Sequence, residues 1–219
     1  MIHFHTVPNW IKRFFKSFVW HISTKEKIIY LTFDDGPIPG VTEFVIDELA
    51  KYNAKASFFC VGDNISKNPD VFIKLVRAGH AIGNHTFNHV KGWQMKNEAY
   101  FENISRFEKE IENFNLKFNL ASFQHDNLKL FRPPYGRIKP SQAKVLRQDY
   151  KIIMWDVLTC DYDKLLSPEC CLANAIKYTK PGSVVLFHDS LKAERNMKFT
   201  LPKYLEHYAN LGYQFESLA

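Results

Sequence analysis

Lys27-Ile-Ile-Tyr-Leu-Thr-Phe33 runs directly into Asp34-Asp35-Gly36-Pro37. The first seven residues are mostly the β-branched and aromatic kind that pack well in a buried strand. Two adjacent carboxylates at the end of such a strand repel each other and are costly away from water. Gly36-Pro37 then stops the strand at once. In a parallel α/β architecture the functional site is built at the carboxyl ends of the strands, which is where this charge falls.

Outward from this strand, helical and extended patterns alternate. Val41 to Tyr52 carries Val41, Phe44, Val45, Leu49 and Tyr52 at helical spacing, and Ala54 to Val61 reads as a second buried strand closed by Gly62. Asp63 to Ala78 reads as a helix restarted near Asn68-Pro69, Gly79 to His85 as a short strand, and Glu98 to Phe114 as a long helix. Further strands are expected at Lys129–Phe131, Lys151–Val157, Ser183–Phe187 and Gly212–Glu216. Helices are expected at Lys139–Gln148, Pro168–Tyr178 and Met197–Asn210, and Asn115–Asn127 reads as a loop insertion. This alternation implies right-handed βαβ units and a parallel sheet. Roughly seven units in roughly 190 residues suit a barrel-like closure better than an open sheet.

The chain has 219 residues, 46% of them apolar, with nineteen Phe, enough for one sizeable core without disulfides. A net charge of +6 reads as a solvated basic exterior. No Lys/Arg block, aromatic nucleic-acid motif or zinc-finger spacing points to nucleic acid. Cys60, Cys160, Cys170 and Cys171 form no Cys-x-x-Cys pair, and reduced thiols fit them best, which leans towards an intracellular context.

Residues 1–24 read as an N-terminal amphipathic segment packed on a domain of residues 25–219. Trp10, Ile11, Phe14, Phe15, Phe18, Val19 and Ile22 form a helical stripe, with Lys12, Arg13 and Lys16 off it. The stretch is too charged to span a bilayer and has neither the long apolar run nor the cleavage site of a signal peptide. Peripheral membrane contact through residues 10–22 is the alternative to packing on the domain. A cytoplasmic and an envelope-associated location are both compatible with this reading.

Unusual polar residues fall at five expected strand ends: Asp34-Asp35, His85 to His89, Arg132 to Gly136, Trp155 to Tyr162, and Leu186 to Asp189. His85 and His89, four apart on a helical turn, would present two imidazoles on one face. One carboxylate from another strand end completes an open metal centre of the His₂-carboxylate type, and a bound cation relieves the repulsion between the paired Asp. Such a centre activates water. Asp34 or Asp35 can then be the base and His188 the acid. Backbone N–H groups near Pro134-Tyr135 can hold an oxyanion, and Arg132 can keep the free Asp ionised.

The ordered series TFDDGP, HTFNH, RPPYG, CDY and LFH resembles the five motifs of the polysaccharide deacetylases, the NodB-homology group or carbohydrate esterase family four. The match runs from about Lys27 to the C-terminus, and KASFFCVG and GHAIGNHT also resemble the family's connecting strands. The resemblance implies a distorted (β/α) barrel of the NodB-homology type, with about seven parallel strands, that removes acetyl groups from an N-acetylated poly- or oligosaccharide. It implies one divalent metal, zinc foremost, with cobalt, nickel or others as alternatives. By position, Asp34 would be the base, Asp35, His85 and His89 the metal ligands, and Arg132 the group orienting Asp34. The Tyr135 N–H, after Pro134, would face the oxyanion. Asp161 would tune the acid His188, and Leu186 and Tyr162 would line the acetyl and sugar pocket.

Two positions depart from the family pattern. Tyr162 stands where Trp is common, and Leu158 where an Asp often stands, so substrate choice is open. Trp93 and Trp155 could each be a sugar platform; strand position favours core packing for Trp155, Trp93 reads equally either way, and Asp189 reads as a cap or orienting group near His188. His3, His5, His21, His80, His125 and His207 read as structural or surface residues. An O-acetyl carbohydrate esterase or small cyclic-amide hydrolase on the same fold is the alternative activity. A glycan-binding protein without catalysis is the alternative of a different class.

Overall fold

The structure, a computed structural model, describes residues 5–118 and 128–218. After a short helix α1 (Asn9–Phe14), the chain enters β1 (Ile28–Asp34), α2 (Thr42–Ala50), β2 (Ser57–Cys60), α3 (Gly62–Lys67), α4 (Pro69–Arg77) and β3 (Ala81–Asn84). The long α5 (Asn97–Phe118) precedes β4 (Lys129–Phe131), α6 (Pro140–Leu146), β5 (Tyr150–Ile152) and β6 (Val157–Leu158). Helix α7 (Pro168–Tyr178), β7 (Val184–His188), α8 (Glu194–Asn210) and β8 (Gln214–Glu216) complete it.

Every strand pairing is parallel, in the order β5-β4-β3-β2-β1-β7-β6, with β8 beside the first half of β1 and β2 beside its second half. The sheet curls into a distorted α/β barrel with helices outside. Alternation along β1 divides the core in two. Phe33 faces the helices, stacked on Phe58 at 4.9 Å and Phe187 at 5.7 Å. Its neighbours Thr32 and Asp34 face the barrel interior, where Phe59, Leu130, Ile153 and Val184 pack together. In α5 the buried Tyr100, Ile104, Phe107, Ile111 and Phe114 recur at intervals of three and four, which seats its apolar stripe on the sheet.

Three expectations need correction. The single strand expected at Lys151–Val157 is two, β5 and β6, at opposite ends of the sheet order, with residues 153–156 crossing the gap between them. The N-terminal stripe is helical only to Phe14; the segment then becomes extended and pairs with the barrel. Val19 bridges Ile153, and His21 bridges Ser183. An apolar residue every third or fourth position therefore served two structures: Phe18 and Trp20 are buried, while Trp10 and Phe14 are 63% and 80% exposed. Thirdly, α5 runs four residues into the expected Asn115–Asn127 insertion; its remainder, with His3 and His125, lies outside the described residues. No helix among the described residues is long and apolar enough to cross a membrane.

The N-terminal segment meets β7 where Ile22 donates its N–H to the Gly182 carbonyl at 2.9 Å. Gly182 has φ +82°, and a Cβ there would stand 1.8 Å from the Ile22 carbonyl oxygen. Only glycine satisfies both conditions. Gly182→Ala is expected to destabilise the fold by about 2 kcal/mol or more, lowering the melting temperature by roughly 4–8 °C in a thermal unfolding scan.

Candidate metal centre and active site

The carboxyl ends of β1, β3, β4 and β7 converge on a cleft of about 410 Å³. Asp35, just past β1, has φ +84°, which turns its carboxylate away from that of Asp34. Its Oδ1 lies 3.1 Å from His89 Nε2 and 3.7 Å from His85 Nε2. One donor atom from each of the three residues falls within 4.8 Å of the others. The two histidines do not sit on a helical turn. They lie in the loop after β3, where Thr86 at φ +64° and His89 at φ +54° bring the rings to 5.1 Å between centroids.

The donor set fits a divalent cation. His85 Nδ1 is 2.8 Å from the Arg132 carbonyl, which can only accept, so Nδ1 carries the proton and Nε2 presents its lone pair to the cluster. Burial, with repulsion from His89, pulls the His85 pKa down to about 4 against the attraction of Asp34 and Asp35, so the ring is neutral at pH 7. Burial would raise Asp35, but the His89 hydrogen bond and the charges of His188, His85 and His89 hold it well below the usual carboxylate range. Two imidazoles, that of His85 neutral, and one carboxylate, with room beside them, form the donor set of an open catalytic metal site.

Asp34 is held differently. Arg132, with no exposed surface, donates Nη1–H to Asp34 Oδ1 at 2.7 Å and to Thr32 Oγ1 at 2.9 Å. Its Nε and Nη2 donate to the carbonyls of Ile153 and Met154 at 3.2 and 2.8 Å, and its plane covers the Phe59 ring at 4.1 Å. Asp34 Oδ2 is left 3.7 Å from His85 Nε2, at the edge of the donor cluster.

On the other wall, His188 pairs in register with Asp34 across β1 and β7. Its Nδ1 lies 2.7 Å from Asp161 Oδ1, and Asp161 Oδ2 accepts the His188 backbone N–H at 2.8 Å. Burial opposes the charged imidazolium, yet the Asp161 ion pair and hydrogen bond, with Asp35 and Asp34 beyond, lift its pKa to about 9. Tyr162 stands edge-on to His188 at 5.1 Å, and Tyr162, Leu186 and Leu158 line the cleft. Tyr135 has φ +60° in the tight turn Pro134–Gly136; its ring packs on His89 at 4.7 Å, while Pro134 is buried.

Trp155 lines the cleft and also packs against the core cluster beside it, so both of its expected roles fall there. Two cleft residues escaped the sequence reading. Arg137 and Lys192 also line the cleft, so the charged groups added to those expected are cationic; both follow the motif segments by a few residues, and nothing in their spacing marks them. Asp189 does not act on His188. Its Oδ1 accepts the Gly36 N–H at 3.0 Å, its Oδ2 the Thr42 hydroxyl at 2.5 Å, and its own N–H reaches the Asp34 carbonyl at 3.1 Å. A Cβ at Gly36 would stand 1.9 Å from Asp189 Oδ2, so glycine there lets Asp189 clamp the turn that carries both site carboxylates.

The polysaccharide deacetylase family model matches residues 21–150. A peptidoglycan-N-acetylglucosamine deacetylase of Bacillus cereus is 34% identical over 183 residues, spanning 83% of this chain and 62% of that protein. A second Bacillus cereus protein of the same name is 32% identical over 203 residues, spanning 91% of this chain and 90% of its own length. The crystal structure of a peptidoglycan N-acetylglucosamine deacetylase in complex with 4-naphthalen-1-yl-N-oxidanyl-benzamide matches with a TM-score of 0.82 at 28% identity, covering 97% of this chain and 95% of that one. Fold and relatives together define a hydrolase of the carbohydrate deacetylase class. The chain belongs to the polysaccharide deacetylase family.

The His188–Asp161 pair gives a measurable pH signature. A histidine whose folded pKa is raised from 6.5 to about 9 contributes stability that is fully present below pH 6.5 and is lost as pH rises through about 9. NMR titration under chelation is expected to find the His188 midpoint near 9 in the wild type. In Asp161→Asn, where burial dominates, the midpoint is expected below about 6.5. The stability difference between the two proteins should shrink across the same interval.

Proposed function

We propose that this chain is a metal-dependent hydrolase that removes the acetyl group from N-acetylated sugars of a glycan, N-acetylglucosamine units foremost. The observation that carries this reading is the division between adjacent carboxylates: Asp35 turns to the imidazoles of His85 and His89, while Asp34 is held by Arg132. The names of the relatives, both peptidoglycan-N-acetylglucosamine deacetylases, support the substrate class.

A divalent cation held by Asp35, His85 and His89, zinc before cobalt or nickel, would polarise the acetyl carbonyl and lower the pKa of water to about 7. Asp34, oriented by Arg132, takes the proton from the attacking water. The Tyr135 N–H donates to the acetyl oxygen as charge collects on it. An amine is a poor leaving group unless protonated, and His188, charged below about pH 9 and steadied by Asp161, supplies that proton to the departing nitrogen. Leu186 takes the acetyl methyl, and Tyr162 with Trp155 walls the sugar. This imidazolium at the cleft wall is what favours amide over ester cleavage, since an alkoxide leaves with less help.

Acetate release is to be measured from N-acetylglucosamine oligomers, peptidoglycan fragments and acetylated xylan. Release from an N-acetylated substrate is expected to vanish on chelation and return with zinc or cobalt. Asp34→Asn is expected to lower kcat roughly 10²–10⁴-fold while bound metal per chain stays the same. Release from xylan alone would point to the ester hydrolase, and glycan binding without release, metal present, to a binding protein. Wild-type turnover in Asp34→Asn would remove Asp34 from the role of base.

A further inference from the structure

The extended N-terminal segment touches the barrel at the cradle that holds Arg132. Val19 donates its N–H to the Ile152 carbonyl at 2.8 Å and accepts the Met154 N–H at 2.7 Å. The Ile153 carbonyl and the Met154 N–H belong to one planar peptide unit, whose trans geometry points them to opposite sides. On one side that unit bonds Val19; on the other its carbonyl accepts Arg132 Nε at 3.2 Å. The next carbonyl, of Met154, accepts Nη2 at 2.8 Å. Arg132 Nη1 then reaches Asp34 at 2.7 Å. One peptide and one guanidinium separate Val19 from the carboxylate.

Between β5, which ends at Ile152, and β6, which begins at Val157, Ile153 donates its N–H to the Phe131 carbonyl and Asp156 to the Val184 carbonyl, and Val19 supplies the partner of the Met154 N–H. The support is itself fastened. Lys12 and His21 both pair with Asp156, His21 at 3.1 Å, and the Ser183 hydroxyl donates to the same carboxylate at 3.0 Å. Asp156 is buried, so its charge depends on these partners.

We infer that the N-terminal segment is a positioning element for the site: Val19, pinned through Lys12, His21 and Asp156, fixes the Ile153–Met154 peptide and thereby the guanidinium that orients Asp34. The term base for Asp34 rests on the proposed function; the relay itself does not. The effect belongs to kcat, because Arg132 and the segment lie behind Asp34 rather than against bound sugar.

The test uses the full chain with Asp156→Asn and the milder Lys12→Met. With ¹⁵N-labelled arginine, solvent exchange of the Arg132 Nε–H is expected to quicken about tenfold or more in both variants, whether or not the protein turns over. On the N-acetylated substrate, kcat is expected to fall roughly 5- to 20-fold at unchanged KM and metal content, as displacing a reacting group by a fraction of an ångström does. In an Arg132→Lys background the same substitutions should cost nothing further. Unchanged Nε–H exchange in folded variants would overturn the inference, as would losses that multiply with that of Arg132→Lys. A wild type that releases no acetate while the exchange rates respond would overturn the proposed function and leave the relay standing. Should Arg132→Lys not fold, the exchange rates decide alone.

Discussion

A guanidinium with no access to water governs this site. Arg132 must be neutralised and saturated where it lies, and the structure meets that demand with Asp34, Thr32 and the carbonyls of Ile153 and Met154. Leaving such a charge unpaired costs about 3–5 kcal/mol, so the partners hold one another in place. The same residue acts a second time through its backbone, since its carbonyl fixes the tautomer of His85. One arginine thus orients a carboxylate with its side chain and an imidazole with its main chain. Phe59, beneath its face, keeps the assembly dry.

Four acids stand close together in this pocket, and each is treated differently. Asp34 meets Arg132, Asp35 meets His85 and His89, and Asp161 meets His188. For Asp189, burial above all, with the Asp35 charge, lifts the pKa to about 8, so it favours the protonated form at neutral pH and serves as a clamp. Neighbouring carboxylates can thereby take up unlike tasks without sharing charge. The fold enforces the separation through the left-handed backbone at Asp35 and the missing Cβ at Gly36.

Much of this arrangement was legible in the sequence, for identifiable reasons. Strand Lys27–Phe33 and the helices lining the sheet betray themselves by burial periodicity, and the polar residues at strand ends cannot be excused as core. What was illegible depends on contacts between distant residues. The run Lys151–Val157 looks like one strand because Ile152, Ile153, Trp155 and Val157 suit a strand; it splits between two edges where Val19 lies alongside it. The pair His85 and His89 has helical spacing without a helix, because two positive φ angles achieve the same convergence. Arg137 and Lys192 carry no local mark of facing the cleft. Their direction is set by where the barrel closes.

The closure at Val19 and Ile22 has a consequence for synthesis. These residues leave the ribosome ahead of their partners: Ile152–Met154 emerge much later and Gly182 later still. At ordinary elongation rates the segment waits about 10–30 s for its last partner. Until then the nascent barrel has an open seam, and the guanidinium cradle lacks its backing. The pocket is therefore completed only once Gly182 has emerged to meet Ile22, long after that segment was made.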